Sequence, residues 1–442
     1  MGRVISRETP ADELDRSKED PESGIPSPDN GSRTPPPPAT TAPIERTPTY
    51  LQPRLPWRDR LLHFTFAWYT VTMSTSGIAL TLATTPHRFP GLSHIGLAIF
   101  LLDLLFFLLI SAALVLRFTL HGLPTAVRAV THPSEALFIP TLFLSLCTVL
   151  SNVDEYARLF LSVEQVAVLE GGFMRVMFWV YLVVCFAVAV GQYHLLFTVE
   201  EGRRLRVSAM TPAWILPIFP VMLAGSLAGT CVRGVTGTEA LGVLCAGLAA
   251  QGLGFLVSVF MYATYLSRLM AFGLPVQRPG MFIAVGPPSF TCAALVGLAA
   301  EVPRVLGEVI TERGAGEVWV LAGLVGVNVQ TVAAGVRLAA LCAAVSVWGL
   351  SFWFFASAAV AVMVGMPDRR FHLSWWSFVF PNVGFTLSSM RLGTALGSQG
   401  MLWFSTVMTA LLFLAWLFIG FRCIRAVHRR EIVWPGHDED SD

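Results

Sequence analysis

The chain has 442 residues, 54% of them hydrophobic and 13% charged, with a mean hydropathy of +0.63. Soluble domains average about half apolar and about a quarter charged, so this composition excludes a water-soluble globule. A formal charge of +1, from 30 basic and 29 acidic residues without a basic block, gives no footing for a nucleic-acid partner.

Residues 1–55 hold a tetraproline, Pro35 to Pro38, amid Ser, Thr, Asp and Glu, and nothing apolar repeats there. Such a segment buries too little surface to offset its ordering entropy, which predicts a disordered cytoplasmic tail. It also lacks the apolar core of a cleavable signal peptide, so the first span must itself direct insertion. A helix needs about 20 apolar residues to cross a hydrocarbon layer about 30 Å thick. Ten stretches fit that requirement: 62–84, 95–117, 134–154, 172–198, 212–232, 240–267, 281–302, 331–363, 374–396 and 402–424. Residues 318–336 are nearly apolar but hold Asn328, Gln330 and several glycines, and they read as a loop leading into a long eighth helix. The expected architecture is therefore an all-α membrane protein: a ten-helix transporter domain over residues 56–430, then an acidic cytoplasmic tail over 431–442.

Arginine placement orients these spans, because cytoplasmic flanks carry an excess of basic residues. One set of flanks holds Arg46, Arg54, Arg58, Arg60, Arg117, Arg128, Arg203, Arg204, Arg206, Arg268, Arg278, Arg369, Arg370, Arg422, Arg425, Arg429 and Arg430. The opposite set, with Arg88, Arg158, Arg233, Arg304, Arg313 and Arg391, joined by Arg175 and Arg337 near the outer ends of the fourth and eighth helices, is sparser. Both termini are expected to be cytoplasmic.

Proline distinguishes the odd spans from the even ones. Pro140 lies in the third, Pro217 and Pro220 in the fifth, Pro287 and Pro288 in the seventh and Pro381 in the ninth, while Gly77 stands in the first. Proline inside a helix removes a backbone hydrogen bond and kinks or breaks it. The alternation predicts five helical hairpins, each of one irregular and one regular helix. Irregular backbone at membrane depth is tolerated where it lines a wet cavity, so the odd helices are the candidate pore lining.

The same spans carry hydroxyls and amides: Thr72, Ser74 and Ser76; Ser145 and Thr148; Ser289 and Thr291; Asn382, Thr386 and Ser388. Serine and threonine also join transmembrane helices by hydrogen bonds, so each of these residues has a structural reading beside that of a substrate pathway. No acidic residue sits at the centre of an odd span, which argues against a proton pump or a cation channel. An anion could be met instead by hydroxyls and by the positive ends of broken helices. Asp103 and His194, on even spans, read as packing residues. Phe380, just before Pro381, is the candidate gate, because an apolar ring can close a pore by excluding water. The seven cysteines show no CxxC pair, HExxH and GxSxG motifs are absent, and no metal, cofactor or enzymatic activity is expected.

Four runs carry a resemblance: His63-Phe-Thr-Phe-Ala-Trp-Tyr-Thr-Val-Thr-Met, Thr211-Pro-Ala-Trp-Ile-Leu-Pro-Ile-Phe-Pro, Arg278-Pro-Gly-Met-Phe-Ile-Ala-Val-Gly-Pro-Pro and Phe380-Pro-Asn-Val-Gly-Phe. They closely resemble the fungal malic acid permeases of the tellurite-resistance and dicarboxylate transporter family, relatives of the plant slow anion channel. The similarity runs from about Trp57 to the tail beginning at Trp434. The resemblance implies ten helices in five hairpins around a central pore, and Phe380 as the match for a pore-occluding phenylalanine. It further implies a plasma-membrane carrier of malate, succinate and similar C4-dicarboxylates, and it allows a homotrimer. Fungal sulfite efflux pumps share the fold and supply the competing substrate; a non-transporting membrane scaffold is a more distant alternative. The chain departs from the permeases at Ser74-Thr-Ser-Gly, where they tend to carry a second glycine before Gly77, and Ser76 would narrow the first pore helix.

Overall fold

A computed structural model describes residues 55–313 and 328–434. The expected N-terminal tail up to residue 54, most of the ambiguous stretch at 318–336 and the acidic residues from 435 onward lie outside the described residues. The described residues form helices without strands. In chain order the longer ones are α1 (Tyr69–Thr84), α2 (Leu92–Thr131), α3 (Pro140–Phe160), α4 (Arg175–Thr198) and α5 (Phe219–Cys231). They continue with α6 (Gly237–Phe272), α7 (Gly286–Arg313), α8 (Val329–Val364), α9 (Phe380–Leu396) and α10 (Gln399–His428). Asn328 caps α8, its side chain accepting from the Gln330 N–H at 2.8 Å, so the eighth helix does begin where the polar residues lie.

Among the described residues, 7 helical runs are long and apolar enough to cross a membrane, namely those containing α2, α3, α4, α6, α7, α8 and α10. Helices α1, α5 and α9, with 16, 13 and 17 residues, are shorter and almost wholly buried. Their shortness has a common cause. Each continues a stretch of tighter 3-10 turn: Phe66–Trp68 before α1, Pro212–Ile215 before α5 and Leu373–Phe378 before α9. Helix α7 likewise follows Arg278–Val285, and α3 follows the single turn Pro133–Ala136.

The prolines mark these junctions. Pro140 opens α3, Pro220 and Pro381 stand in the first turns of α5 and α9, and Pro287 and Pro288 in that of α7. Pro217 lies in the turn before α5. They therefore open α-helices, where the spacing had suggested kinks within them. A residue without an N–H costs nothing in a first turn, whose donors have no intrahelical partner. Gly77 is not a kink either. It lies in continuous helix, and a Cβ there would come 2.9 Å from Val383 of α9, so the glycine allows two helices to approach closely. A real break occurs in α2, where Gly122 takes φ 76°.

Packing follows the same division. Helix α1 packs on α3, α3 on α5, α5 on α7, α7 on α9, and α9 returns to α1. Each of these five also packs on the even helix that follows it. The even helices bury only 22% to 33% of their apolar stretches, against 78% for the run containing α7. Their exposed Leu, Val and Phe side chains form more apolar surface than water tolerates, which suits lipid.

The arginines tie the two ends of the helices separately. Arg117 of α2 meets Glu135, ahead of α3, in a buried two-pronged pair. Arg268 donates to Ser208 O and Arg422 to Arg369 O, ahead of α5 and α9. At the opposite ends Arg158 pairs with Asp154 and Glu170, and Arg304 with Glu301 and Glu308. A π-helical turn, Leu169–Met174, runs into α4 and contains Glu170, the partner of Arg158. The packed body reaches Trp434, beyond the boundary expected at residue 430. Ile432, Val433 and Trp434 are buried, and the Trp434 ring lies under Arg60 and Arg430 at 5.4 and 5.2 Å.

Candidate functional site

Helices α1, α3, α5, α7 and α9 all contribute to one cavity of about 70 Å³. Its wall includes Thr84 of α1, Thr148 and Ser151 of α3, Ser226 and Thr230 of α5, Phe290 of α7 and Arg391 of α9. Lining residues recur three or four apart on each helix, so each shows the cavity a single stripe. The Ser226 hydroxyl is buried and has no hydrogen-bond partner among the described residues. A buried donor left open in this way points to a guest that completes it, either water or substrate.

Phe290, on the cavity wall, clusters with two more rings. It stacks on Phe380 at 5.4 Å and meets Phe219 edge-on at 5.9 Å, and Phe219 and Phe380 are 6.2 Å apart. Phe219 and Phe380 each begin a helix, and Phe290 lies one turn into a third, so the three junctions converge. Two glycines make room for the rings. A Cβ on Gly286 would come 2.7 Å from the Phe219 ring, and one on Gly384 would come 2.6 Å from that of Phe290. All three rings are buried, with Phe380 only 1% exposed.

On the other side the cavity adjoins a mouth of about 590 Å³, and both are lined by Thr84, Glu155, Met390 and Arg391. Arg233 and Arg337 also face this mouth. Arg233 is held among Asp154, Glu155 and Glu301 at 3.8, 3.8 and 4.0 Å. Arg391 differs: its Nη1 donates to Ala293 O at 2.9 Å, and among the described residues no carboxylate oxygen comes within 4.0 Å of it. Gly297 makes room for it, since a Cβ there would lie 2.6 Å from Nη1.

Of the polar residues singled out from the sequence, Thr148 lines the cavity. The others are buried and bonded between or within helices. Thr72 and Ser145 bond each other at 2.7 Å, and Ser145 also reaches Tyr69 O at 3.0 Å. Ser74 donates to Trp376 O at 3.4 Å, while Asn152 donates to both Ser76 O and Ser76 Oγ. Ser289 bonds Ser351, and Thr291 accepts from Gln251 at 2.8 Å. Asn382, Thr386 and Ser388 donate to carbonyls of their own segment. Asp103 is buried against Ser76, and His194 is exposed on α4. Missed in the sequence were Thr84, Ser151, Ser226, Thr230, Arg391 and the two partner rings. One signal was available: Phe219-Pro220 repeats the dipeptide Phe380-Pro381. No group of three His, Cys, Asp or Glu side chains among the described residues converges as metal ligands would.

These placements separate two kinds of serine. Ser226→Ala removes a hydroxyl that bonds nothing among the described residues, and it is expected to leave stability within about 0.5 kcal/mol while raising the KM for the transported anion. Ser145→Ala leaves the Thr72 hydroxyl short of a partner and should cost about 1–2 kcal/mol. Thermal unfolding in detergent alongside uptake into liposomes checks both.

Comparison with known proteins agrees with this arrangement. The family model for the voltage-dependent anion channel matches residues 63–424. A malic acid transport protein of Schizosaccharomyces pombe is 30% identical over 397 residues, covering 88% of this chain and 84% of that protein. A putative malic acid transport protein of the same organism is 31% identical over 399 residues, with 88% and 86% coverage. A sulfite efflux pump of Trichophyton rubrum is 23% identical over 337 residues, with 75% and 82% coverage. The match spans α1 to α10 and takes in every residue of the cavity and its ring cluster, so this helical membrane protein is an anion transporter of the voltage-dependent anion channel (SLAC1) family.

Proposed function

We propose that the chain carries malate and related C4-dicarboxylate anions across the plasma membrane, through a pore between α1, α3, α5, α7 and α9 that is gated at Phe380. In this reading all ten helices cross the bilayer as five hairpins, with the even helices facing lipid. The observation that carries it is the hydroxyl-bearing cavity to which all five inner helices contribute, with the three-ring cluster against it at Phe290 and an arginine-bearing mouth that shares its wall. The 3-10 entrances bring the start of α-helix, with its positive dipole end, to the ring cluster, which favours anions over cations. The inner helices offer hydroxyls and no paired carboxylates at that depth, so contacts stay weak enough for the anion to leave.

Both termini are assigned to the cytoplasm. Arg117, Arg268 and Arg422 tie the ends that lead into the odd helices, and the sparser arginine set ties the opposite ends; this division follows the basic-inside bias. Malate is preferred over sulfite because the relatives named for malic acid are 30–31% identical and cover more of the chain than the sulfite pump at 23%. The test is uptake of labelled malate into liposomes holding the purified protein, with succinate and sulfite as competitors. Malate uptake blocked by succinate supports the assignment. Sulfite flux without malate flux would move the protein to the sulfite class, and no flux of any anion would leave only a scaffold.

A further inference from the structure

The mouth above the cavity holds a cation without a direct carboxylate partner among the described residues: Glu155 lines the same wall and acts on Arg391 through its charge, but not from within salt-bridge distance. Arg158, Arg175, Arg233 and Arg304, at the same ends of the helices, each have a carboxylate within 4.0 Å. Arg391 has none among the described residues and makes one hydrogen bond, to Ala293 O. A guanidinium carries five N–H donors in a planar fork, so most of its donors are left for another partner. An arginine that lines a wet path keeps its charge where hydrocarbon would disfavour it. Here it stands on the wall shared by the inner cavity and the mouth. Gly297 keeps open the space that its Nη1 occupies. Arg337 faces the same mouth, is exposed, and likewise has no carboxylate within 4.0 Å among the described residues.

We propose that Arg391 is the anchor of a carboxylate-binding site just outside the ring cluster. One carboxylate of a dicarboxylate takes the free edge of the Arg391 fork, and the other turns toward Arg337 at the rim. The site deepens the transport reading and rests on it. It accounts for selection between anions by number of carboxylates: a monocarboxylate uses Arg391 alone, whereas a dicarboxylate uses both cations. The gate below then needs no charge of its own. Forked, charge-assisted hydrogen bonds of this kind are about twice as strong as neutral ones, which makes Arg391 the dominant contact.

The test compares labelled malate and labelled lactate uptake into liposomes for wild type, Arg391→Gln, Arg391→Lys, Arg337→Gln and Gly297→Ala, with malate-induced thermal stabilisation of each purified protein as a second readout. Arg391→Gln is expected to raise the KM for both anions by about ten- to a hundred-fold and to abolish the stabilisation by malate. Arg391→Lys should recover part of the affinity, because it keeps the charge and loses the fork. Arg337→Gln should raise the KM for malate alone. Gly297→Ala pushes the guanidinium aside without removing it, and it should weaken malate binding even if Arg391→Gln fails to fold. An unchanged malate KM in Arg391→Gln, or in Gly297→Ala where Arg391→Gln is lost, overturns the anchor. Equal effects of Arg337→Gln on lactate and malate overturn the two-point clamp. A wild type that neither moves nor is stabilised by malate would instead remove the transport reading itself.

Discussion

Phe380→Ala is expected to raise malate flux about tenfold or more, which corresponds to a barrier lowered by about 1.4 kcal/mol. The ring is stacked on Phe290 and set against Phe219, so its loss opens a hole where three helix starts meet. Water entering that hole removes the dewetted constriction that opposes an anion. Truncating a buried phenylalanine also costs about 3–5 kcal/mol of packing, so flux must be separated from instability. Phe385→Ala supplies the control. It lies on the same helix and is equally buried, but it packs outward against Trp348, Phe355 and Phe404 at 5.7, 5.2 and 5.8 Å. It should lower stability as much as Phe380→Ala without raising flux. Phe380→Leu keeps most of the volume and should give an intermediate flux. Equal flux in the Phe380 and Phe385 variants would place the gate elsewhere.

Arg117→Leu is expected to destabilise the fold by about 3–5 kcal/mol, because it strands Glu135 as an unpaired charge in a buried site. The pair is 2% and 0% exposed, and its second bond, Nη2 to Glu135 Oε2, is 3.2 Å. It fastens the C-terminal half of α2 to the single turn that leads into α3, one of the five cavity helices. Glu135→Leu should be as damaging, since the guanidinium is then stranded. The double variant should regain most of the loss, because two apolar side chains leave no charge to desolvate. Thermal unfolding of the three variants in detergent reads this out; single variants within about 0.5 kcal/mol of wild type would show that the pair contributes little.

How much of this could be read beforehand differs by feature. Hydropathy located the long spans, since only runs of apolar residues cross a bilayer, and the long helices fall where they were expected. Proline spacing singled out the odd helices, but it could not show that the prolines stand at their starts. A proline reads the same in sequence whether it bends a helix or opens one, and the 3-10 stretches before α5, α7 and α9 have no composition of their own. Which hydroxyls face the cavity was hidden for a different reason. Helices α1, α5 and α9 are buried on nearly every side, so no polar stripe shows which of their hydroxyls, Ser226 and Thr230 against Thr72 or Ser388, face the cavity. Arg391 read only as an end-marker of a span, because its lack of a carboxylate is a property of its neighbours. Glu135 and Arg117 lie in separate helical elements, and nothing in their spacing requires a bond.

The measurement that tests the pathway most directly uses Ser226→Cys in a Cys147→Ala background, since Cys147 lines the same cavity. Malate flux is followed before and after a membrane-impermeant, negatively charged thiosulfonate is added on the side of the arginine-bearing mouth, with the Cys147→Ala parent as control for exposed Cys245 and Cys342. An anion path between the five inner helices predicts that labelling the introduced thiol stops the flux, that saturating malate slows the labelling, and that the parent is unaffected. Full malate flux through protein whose introduced thiol is completely labelled would contradict it.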